Sequence, residues 1–312
     1  AVDPSVLTAA RLARQEGAHL YLLHVMEPAS LEDRRRVREV ESETERVAEA
    51  GYAQSIRRSL QQVYRNDLSA LPHEIRAAAG FPWEEILRWS AAIDADLIVM
   101  GPHSTRAIEK GAVRIAGSVG STVEHVVTRE TCPVMIVNQA ADEDRLSFRT
   151  VLVPVDFSRS CECAVCFAAR LAAGCRSRVL AFHMLPVPPV PKYSRDAYAR
   201  DRDHAHDRLE SLCSPYLDGI EHRCLIRAGA VPHLEILKAA EENQVDLIIM
   251  GSHTKETPGK WYPGSAVERV GYRAFCPVVV ITDPQVLVRW DDRLAGSEGQ
   301  DADRLIHVFT AI

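Results

Sequence analysis

The stretch Asp246-Leu-Ile-Ile-Met250-Gly251-Ser-His253-Thr254, followed after nine residues by Gly264-Ser265-Ala266-Val267, decides the fold of this 312-residue chain. An apolar run that stops abruptly at glycine and polar residues is typical of a buried parallel strand that opens into a loop. Gly251 and Gly264 would let a ligand approach the backbone closely, and Ser265 begins a helix whose free N–H groups favour an anion. Tight turns would also explain two glycines, so this stretch alone leaves both interpretations open.

The same pattern occurs in the first half of the chain. Asp96-Leu-Ile-Val-Met100-Gly101-Pro-His103-Ser104 precedes the second copy by 246 − 96 = 150 residues. The flanking segments repeat too, as Gly80-Phe-Pro-Trp-Glu-Glu85 and Gly229-Ala-Val-Pro-His-Leu-Glu235, as Gly120-Ser121 and Gly264-Ser265, and as Cys132-Pro-Val and Cys276-Pro-Val. A period of this length is too long for a solenoid, whose units span roughly 20–50 residues, and therefore predicts two duplicated domains.

Composition narrows the class of protein. The chain is 46% hydrophobic and 26% charged, which is ordinary for a globular protein, and its formal net charge of −6 argues against a nucleic-acid partner. No apolar run approaches the roughly 18 residues of a membrane helix, and the first residues do not resemble a secretion signal. We therefore expect a cytoplasmic protein with neither a membrane nor a nucleic acid as partner.

The eight cysteines predict neither disulfides nor a metal site. A large cytoplasmic chain keeps its thiols reduced, and Cys132 and Cys276 share one repeat position, which suits small buried hydrophobic residues. Cys161, Cys163 and Cys166 fall in a predicted helix, where residues 161 and 163 point to different faces. We expect no metal there.

Strands and helices alternate in both halves, which predicts an α/β fold with an open parallel sheet and helices on both faces in each domain. In such sheets ligands bind beyond the carboxyl ends of the strands. The predicted division is a first domain at 1–140, a linker at 141–149, a second domain at 150–283 and an extension at 284–312. A charged helix is expected over 31–65, and 305–312 is apolar enough to dock on the body.

The beginning of the sequence admits two interpretations. Ala1-Val-Asp3-Pro-Ser5 matches Pro154-Val-Asp156-Phe-Ser158, but Asp3 lies 21 residues before His24, whereas Asp156 lies 27 residues before His183. Either the first helix is six residues shorter, which we favour, or the chain starts within that helix and Asp3 only mimics the motif. In both cases the first strand of the first domain is missing or truncated.

Together these motifs resemble the universal stress protein family. The motifs are Pro154-Val-Asp156-Phe-Ser158, the strand bearing His183, Met250-Gly-Ser-His253, Gly264-Ser265 and Cys276-Pro-Val, and the chain is similar to a tandem two-domain member over 1–138 and 150–282. The resemblance implies about five parallel strands per domain in the order 3-2-1-4-5. It also implies that the last strands of the two domains pair within one chain as an intramolecular pseudo-dimer. Whether two chains associate further is left open.

In nucleotide-binding members of that family, the loop reads Gly, two residues, Gly, nine residues, then Gly-Ser or Gly-Thr. The second domain keeps this spacing with Thr254 at the second glycine, whereas the first domain has Ser104 there and 15 residues before Gly120. The β-branched Thr254 resists the positive φ that glycine permits, although its hydroxyl can donate to a phosphate. The second domain is therefore the better candidate.

The resemblance implies that the ligand is an adenine nucleotide, namely ATP, ADP or AMP, which Mg²⁺ could accompany. The implied site comprises Pro154, Asp156, Met184, Met250, Gly251, His253, Thr254, Gly264, Ser265, Ala266 and Val267, with a weaker copy at Asp3, Val25, Gly101, His103, Gly120, Ser121 and Thr122. Asp156 would accept from the adenine or ribose side, Gly251 and His253 would line the triphosphate path, and 264–267 would hold phosphates. A helix cap would equally explain Asp156, and a loop hydrogen bond would equally explain His253.

The expected function is that of a stress-response sensor or protective factor that binds the nucleotide without strong catalysis. The sequence offers no general base in a catalytic series, no P-loop and no metal cluster. Two alternatives stay open: a ligand-free signalling scaffold of the same fold, which the replaced glycines favour, and a weak ATPase or nucleotide-activating transferase.

Overall fold

The computed structural model describes residues 2–28, 36–38, 45–47, 50–102, 119–139, 145–186, 194–252, 265–281 and 307–312. Its eight α-helices within these ranges are α1 (Pro4–Gln15), α2 (Ala50–Val63), α3 (Pro82–Ile93), α4 (Ser121–Arg129), α5 (Arg159–Cys175), α6 (Arg195–Leu217), α7 (Pro232–Glu242) and α8 (Ser265–Arg273). Local sequence explains several helix starts. Proline stands in the first turn of α1, α3 and α7, and Ser158 and Ser194 cap α5 and α6 with their side chains.

Ten of the strands form one mixed sheet. The twelve strands in the described ranges are β1 (His19–Met26), β2 (Arg36–Arg38), β3 (Glu45–Val47), β4 (His73–Ala79), β5 (Leu97–Met100), β6 (Val134–Ile136), β7 (Thr150–Pro154), β8 (Arg178–Pro186), β9 (His222–Gly229), β10 (Leu247–Gly251), β11 (Val278–Ile281) and β12 (His307–Ala311). Their order across the sheet is β4-β1-β12-β5-β6-β11-β10-β7-β8-β9, and β2 pairs with β3 apart from it. The α/β class with helices on both faces is as predicted.

The second domain has the expected topology. Its strands lie in the order β9-β8-β7-β10-β11, which is 3-2-1-4-5 in chain order, and all of their pairings are parallel. The central strand β7 is buried along its whole length, from Thr150 to Pro154. This burial on both faces explains why the strand reads as a continuous apolar run rather than an alternating one.

In the first domain, β12 occupies the central place that β7 occupies in the second domain. It pairs in parallel with β1, where His19 is opposite His307, and with β5, where Val308 is opposite Leu97. The register is the same as in the second domain, where Val151 is opposite both Val179 and Leu247. The segment expected only to dock on the body, 305–312, therefore contributes a central strand, and the order 3-2-1-4-5 holds in both domains.

The two domains share one sheet through their last strands. β6 and β11 pair antiparallel, with Val279 opposite Met135, so the pseudo-dimer forms within one chain. The Asn138 side-chain amide adds bonds across the boundary, donating to the Gly271 and Ala274 carbonyls at 2.7 and 3.0 Å. Two apolar clusters cover the two faces of the sheet, one including α1, α5 and α6 and the other including α3, α4, α7 and α8.

One of the predicted elements is wrong. Within 31–65, expected to be one charged helix, Arg36–Arg38 and Glu45–Val47 form an antiparallel pair, and α2 begins only at Ala50. Within the predicted linker, 141–149, Leu146 and Phe148 are buried in the core, and the linker itself stays a prediction. None of the helices in the described ranges has the length and apolar character needed to cross a bilayer.

Candidate functional site

The candidate site lies at the carboxyl edge of the second half of the sheet. β7 and β10 are neighbours and run in parallel, so the residues that follow Pro154 and those that follow Met250 leave the sheet at the same edge. Gly251 is the last residue of β10, and Ser252 anchors the chain beyond it by donating its N–H to the Ile281 carbonyl at 2.9 Å.

Asp156 occupies an exposed turn between β7 and α5. Its Oδ1 accepts a hydrogen bond from the Ser158 N–H at 3.1 Å, while the side chain as a whole stays open to solvent. Ser158, not Asp156, caps the helix, since its hydroxyl accepts from the Cys161 N–H at 3.3 Å. The carboxylate is therefore held in orientation at an exposed position, and a carboxylate is an acceptor for a ligand's hydroxyl or amino group.

Cys161 is part of this turn, although the sequence pointed to no role for it. Its thiol donates to Asp156 Oδ1 at 2.9 Å. Burial, and then the neighbouring Asp156 carboxylate, raise the pKa of the Cys161 thiol to about 12. The side chain thus remains a protonated donor that orients the carboxylate. Its position in the first turn of a capped helix five residues after Asp156 was the available signal.

Gly251 is required by packing as well as by its place in the loop. A Cβ atom at this position would lie 2.3 Å from the Ser160 carbonyl carbon and oxygen and 2.7 Å from the Cys161 nitrogen. The end of β10 therefore lies directly against the first turn of α5. The atoms in contact there are backbone atoms, which cannot move aside as the end of a flexible side chain could. This packing explains the glycine at position 251 without a ligand.

An apolar wall lies on the face of the sheet covered by α7 and α8. Met250 and Val267 are buried in one cluster there, and Met184 and Ala266 pack against it half-buried. Of the site residues implied by the family, these four are thus brought onto one face, while Asp156 lies at the start of α5. Pro154, also buried, ends β7 opposite Phe182.

Phe157, next to Asp156, adopts a left-handed backbone conformation with φ of 65°. Its ring lies 4.5 Å from the His183 ring and 4.0 Å from the guanidinium carbon of Arg208. His183 is fixed in turn, since its Nδ1 lies 2.7 Å from the Val155 carbonyl oxygen. The stack of Arg208, Phe157 and His183 holds the turn that carries Asp156.

Part of the implied site lies outside the described residues, namely His253, Thr254 and Gly264. α8 begins at Ser265, so the backbone N–H groups of its first turn, in Ser265, Ala266 and Val267, have no carbonyl acceptor within the helix. These groups favour an anion by geometry and by the helix dipole.

The first domain repeats the acidic turn. Asp3 Oδ1 accepts from the Ser5 N–H at 2.8 Å and from the Ser5 hydroxyl at 2.6 Å, as Asp156 does from the Ser158 N–H. α1 has 12 residues against 17 in α5, a difference that both interpretations of the beginning of the sequence explain. The Asp3 N–H also donates to the Tyr64 hydroxyl at 3.0 Å, so this turn is tied to the end of α2.

The rest of the weaker copy is only partly described. Val25 is buried one residue after His24, as Met184 follows His183, and His103 lies outside the described residues. The Gly120 N–H donates to the Pro102 carbonyl at 2.7 Å, which joins the loop after Gly101 to the start of α4. Gly120 precedes Ser121 and Thr122 in the first turn of that helix, which has no side-chain cap.

Curated relatives match about one domain of this chain. Universal stress protein MJ0577 of Methanocaldococcus jannaschii is 25% identical over 154 residues, covering 43% of this chain and 94% of its own length. A universal stress protein of Thermus aquaticus is 29% identical over 140 residues, covering 43% of this chain and 98% of its own length. Both relatives are thus single-domain in extent relative to this chain.

A solved structure and the family model extend the match to both halves. A universal stress protein from Archaeoglobus fulgidus superposes with a TM-score of 0.58 over 89% of this chain and 93% of its own, and its 21% identity shows the fold alone. The model of the universal stress protein family matches twice, at residues 4–138 and 147–282. The chain therefore belongs to the universal stress protein family, as a member with two family domains in tandem.

Proposed function

We propose that the second domain binds an adenine nucleotide and that the chain acts as a nucleotide-responsive stress protein rather than as an enzyme. The observation that carries the proposal is the exposed Asp156 carboxylate, oriented by the Ser158 N–H and the Cys161 thiol at the carboxyl edge of the sheet. A carboxylate held in this way suits the hydroxyl groups of a ribose or the amino group of adenine.

The start of α8 supplies the complementary half of the proposed site. A nucleotide whose base and ribose lie near Asp156 would direct its phosphates toward the N–H groups of Ser265, Ala266 and Val267. The apolar side chains of Met184 and Met250 suit a purine ring, because they lie in the cluster on that face of the sheet. Mg²⁺ would accompany the phosphates, with no dedicated ligand assigned in the chain.

Equilibrium binding of ATP, ADP and AMP to the full-length chain, with and without Mg²⁺, tests the proposal. We expect one saturable site, weakened about tenfold or more in Asp156→Ala, the scale for losing a hydrogen bond to a charged group. The matched control is Asp3→Ala, which removes the equivalent carboxylate of the first domain and should leave this affinity within about twofold. Absence of saturation at millimolar nucleotide would reject the proposal.

A second variant addresses the phosphate end. Proline is tolerated at the first position of a helix but lacks an N–H donor, so Ser265→Pro removes one proposed phosphate contact while keeping α8. ATP affinity should fall more than AMP affinity. An equal loss for both nucleotides would argue against phosphates at this helix start.

A ligand-free scaffold is the second candidate function. The observation that favours it is the contact of Gly251 with the Ser160 backbone, because this packing explains the glycine without any ligand. The same titration decides between the two candidates, since a scaffold shows no saturable nucleotide binding in either domain.

A further inference from the structure

The place where β12 enters the first domain contains a pair of histidines without a counterpart in the second domain. His19 and His307 are register partners on adjacent strands, and their ring centroids are 6.4 Å apart. The equivalent pair in the second domain is Arg178 and Thr150. The two domains share one sheet and one register, so the two pairs occupy equivalent places, with two imidazole rings in the first domain and a guanidinium and a hydroxyl in the second.

His19 is held in a form that disfavours protonation. Its Nε2 is buried and has no hydrogen-bond partner among the described residues. Burial, followed by the charge that His307 would carry, lowers the pKa of His19 below its ordinary value. His307 is anchored on the other side, since its Nδ1 lies 2.6 Å from the Ile93 carbonyl oxygen at the end of α3.

The surroundings of His19 are mainly aromatic, and the charged groups near it are few. Tyr21 lies 4.5 Å from its ring, on the same strand. Four titratable or charged groups face the histidine pair from neighbouring elements. β4 contributes His73, Glu74 and, across the Trp89 ring, Arg76. The fourth is Asp96, whose carboxylate accepts a hydrogen bond from the His307 N–H. Glu74 raises the pKa of His19, whereas His73 and His307 lower it, and the lowering effects prevail.

We propose that the His19 and His307 pair makes β12 an acid-releasable strand, seated in the first domain at neutral pH and loosened as the pH falls below about 6.5, the ordinary pKa of histidine. A histidine that prefers its neutral form when folded contributes stability that is complete above its ordinary pKa and is lost as the pH falls below it. Two protonated rings at this separation would also repel each other across the strand pair.

Release of β12 would have a defined consequence for the fold. Val308 packs in the cluster that contains α1, and Phe309, which is fully buried, lies 5.4 Å from Trp89 of α3. The Ile312 N–H also donates to the Leu23 carbonyl. Loss of the strand would therefore separate β1 from β5 and remove the packing of α1 on β12. The second domain, whose central strand is β7, would be unaffected.

Hydrogen exchange of the full-length chain, corrected for the intrinsic pH dependence of exchange, tests this proposal. β7 is the internal reference because it holds the equivalent place in the second domain. Between pH 7.5 and pH 5, we expect amide protection in β12 to fall about tenfold relative to β7, the scale of repulsion between two nearby charges in a partly buried place. Equal changes in the two strands in the wild-type chain would overturn the proposal.

Two variants test whether the loss of β12 protection comes from the histidine pair or from a general sensitivity of the chain to acid. His307→Thr gives the first domain the residue that β7 carries, and the additional loss of β12 protection at pH 5 should shrink to about twofold or less. His19→Gln should do the same. The matched control is His222→Gln, which alters the first residue of β9 in the second domain and should leave the β12 profile unchanged. A full tenfold loss that persists in both His307→Thr and His19→Gln would also overturn the proposal.

Discussion

The carboxylate of Asp96 accepts a hydrogen bond from the backbone N–H of His307 at 2.9 Å, across 211 positions of sequence. Asp246 makes the same contact with the Thr150 N–H at 3.0 Å. Each aspartate also donates its own N–H to the carbonyl of the same partner, at 3.0 and 2.9 Å. The duplicated aspartates thus fix the first residue of the central strand in both domains, although the two strands come from different parts of the sequence.

Loss of the hydrogen bond between the Asp96 carboxylate and the His307 N–H should loosen β12. We expect Asp96→Ala to reduce the free energy of unfolding by about 1–3 kcal/mol, the cost of losing a hydrogen bond to a charged acceptor, in a urea titration of the full chain. Asp96→Asn keeps an acceptor and should cost less. The control, Asp246→Ala, should cost a similar amount but increase hydrogen exchange in β7 instead of β12. An Asp96→Ala variant as stable as wild type would show that the contact does not support the strand.

A buried hydroxyl distinguishes β12 from β7. The side chain of Thr310 is fully buried, and its Oγ1 has no hydrogen-bond partner within the described part of the chain. The equivalent position in β7 is Val153, since Thr310 pairs with Leu22 and Val153 with Ala181. We expect Thr310→Val to increase the free energy of unfolding by about 1 kcal/mol, because it removes the cost of burying an unpaired hydroxyl.

The reciprocal substitution is the control for this prediction. Val153→Thr places a hydroxyl in the equivalent buried position and should destabilise the chain by about 1–3 kcal/mol. Thermal or urea unfolding measures both variants. If Thr310→Val destabilised the chain, the hydroxyl would have to be bonded, and β12 would be seated differently from β7.

The parallel sheets were predictable from the apolar runs of the central strands and from the repeat, whereas the order 3-2-1-4-5 was implied by the resemblance to the family. The location of β12 was not predictable in the same way. A short apolar segment such as 307–311 reveals a strand but not its neighbours, because pairing is decided by long-range register. The acidic turns followed from the Asp-x-Ser pattern, whereas the thiol contact of Cys161 depended on how α5 meets the turn. Gly251 was predicted to admit a ligand, which stays a prediction, whereas its contact with the Ser160 backbone could not be read from the sequence.

The contact of Gly251 with α5 predicts a severe effect of a single methyl group. Gly251→Ala places Cβ 2.3 Å from the Ser160 carbonyl, and backbone atoms in a capped helix cannot move aside cheaply. We expect a loss of at least about 2 kcal/mol in the free energy of unfolding, the cost of overpacking a tight contact. The measurement is a urea titration of the full chain.

Gly174→Ala is the matched control for that substitution. Gly174 is exposed in α5 and has no atom within 4 Å of the added Cβ. The substitution should stabilise the chain by about 0.5–1 kcal/mol through helix propensity. A Gly251→Ala variant that kept full stability while losing nucleotide binding would instead identify Gly251 as a residue that admits the ligand.

The final prediction concerns the charges near the boundary between the domains. Glu268 in α8 and Glu124 in α4 occupy equivalent first-turn positions, and burial, followed by the Glu124 charge, raises the pKa of Glu268. A carboxyl group whose pKa is raised by folding prefers its protonated form in the folded chain, so its ionised form weakens the fold at neutral pH. That penalty is relieved as the pH falls through the raised pKa.

We therefore expect Glu268→Gln to raise the thermal midpoint by about 1–2 °C at pH 7.5, after allowance for solvent screening, and to have no effect at pH 4. Glu124→Gln should give a smaller gain, because it removes the repulsion but not the burial of Glu268, and the double variant should gain less than the sum because the two groups act on each other. Addition of 1 M salt should reduce both gains by screening. Gains that add fully and do not depend on pH would show that the two carboxylates do not interact.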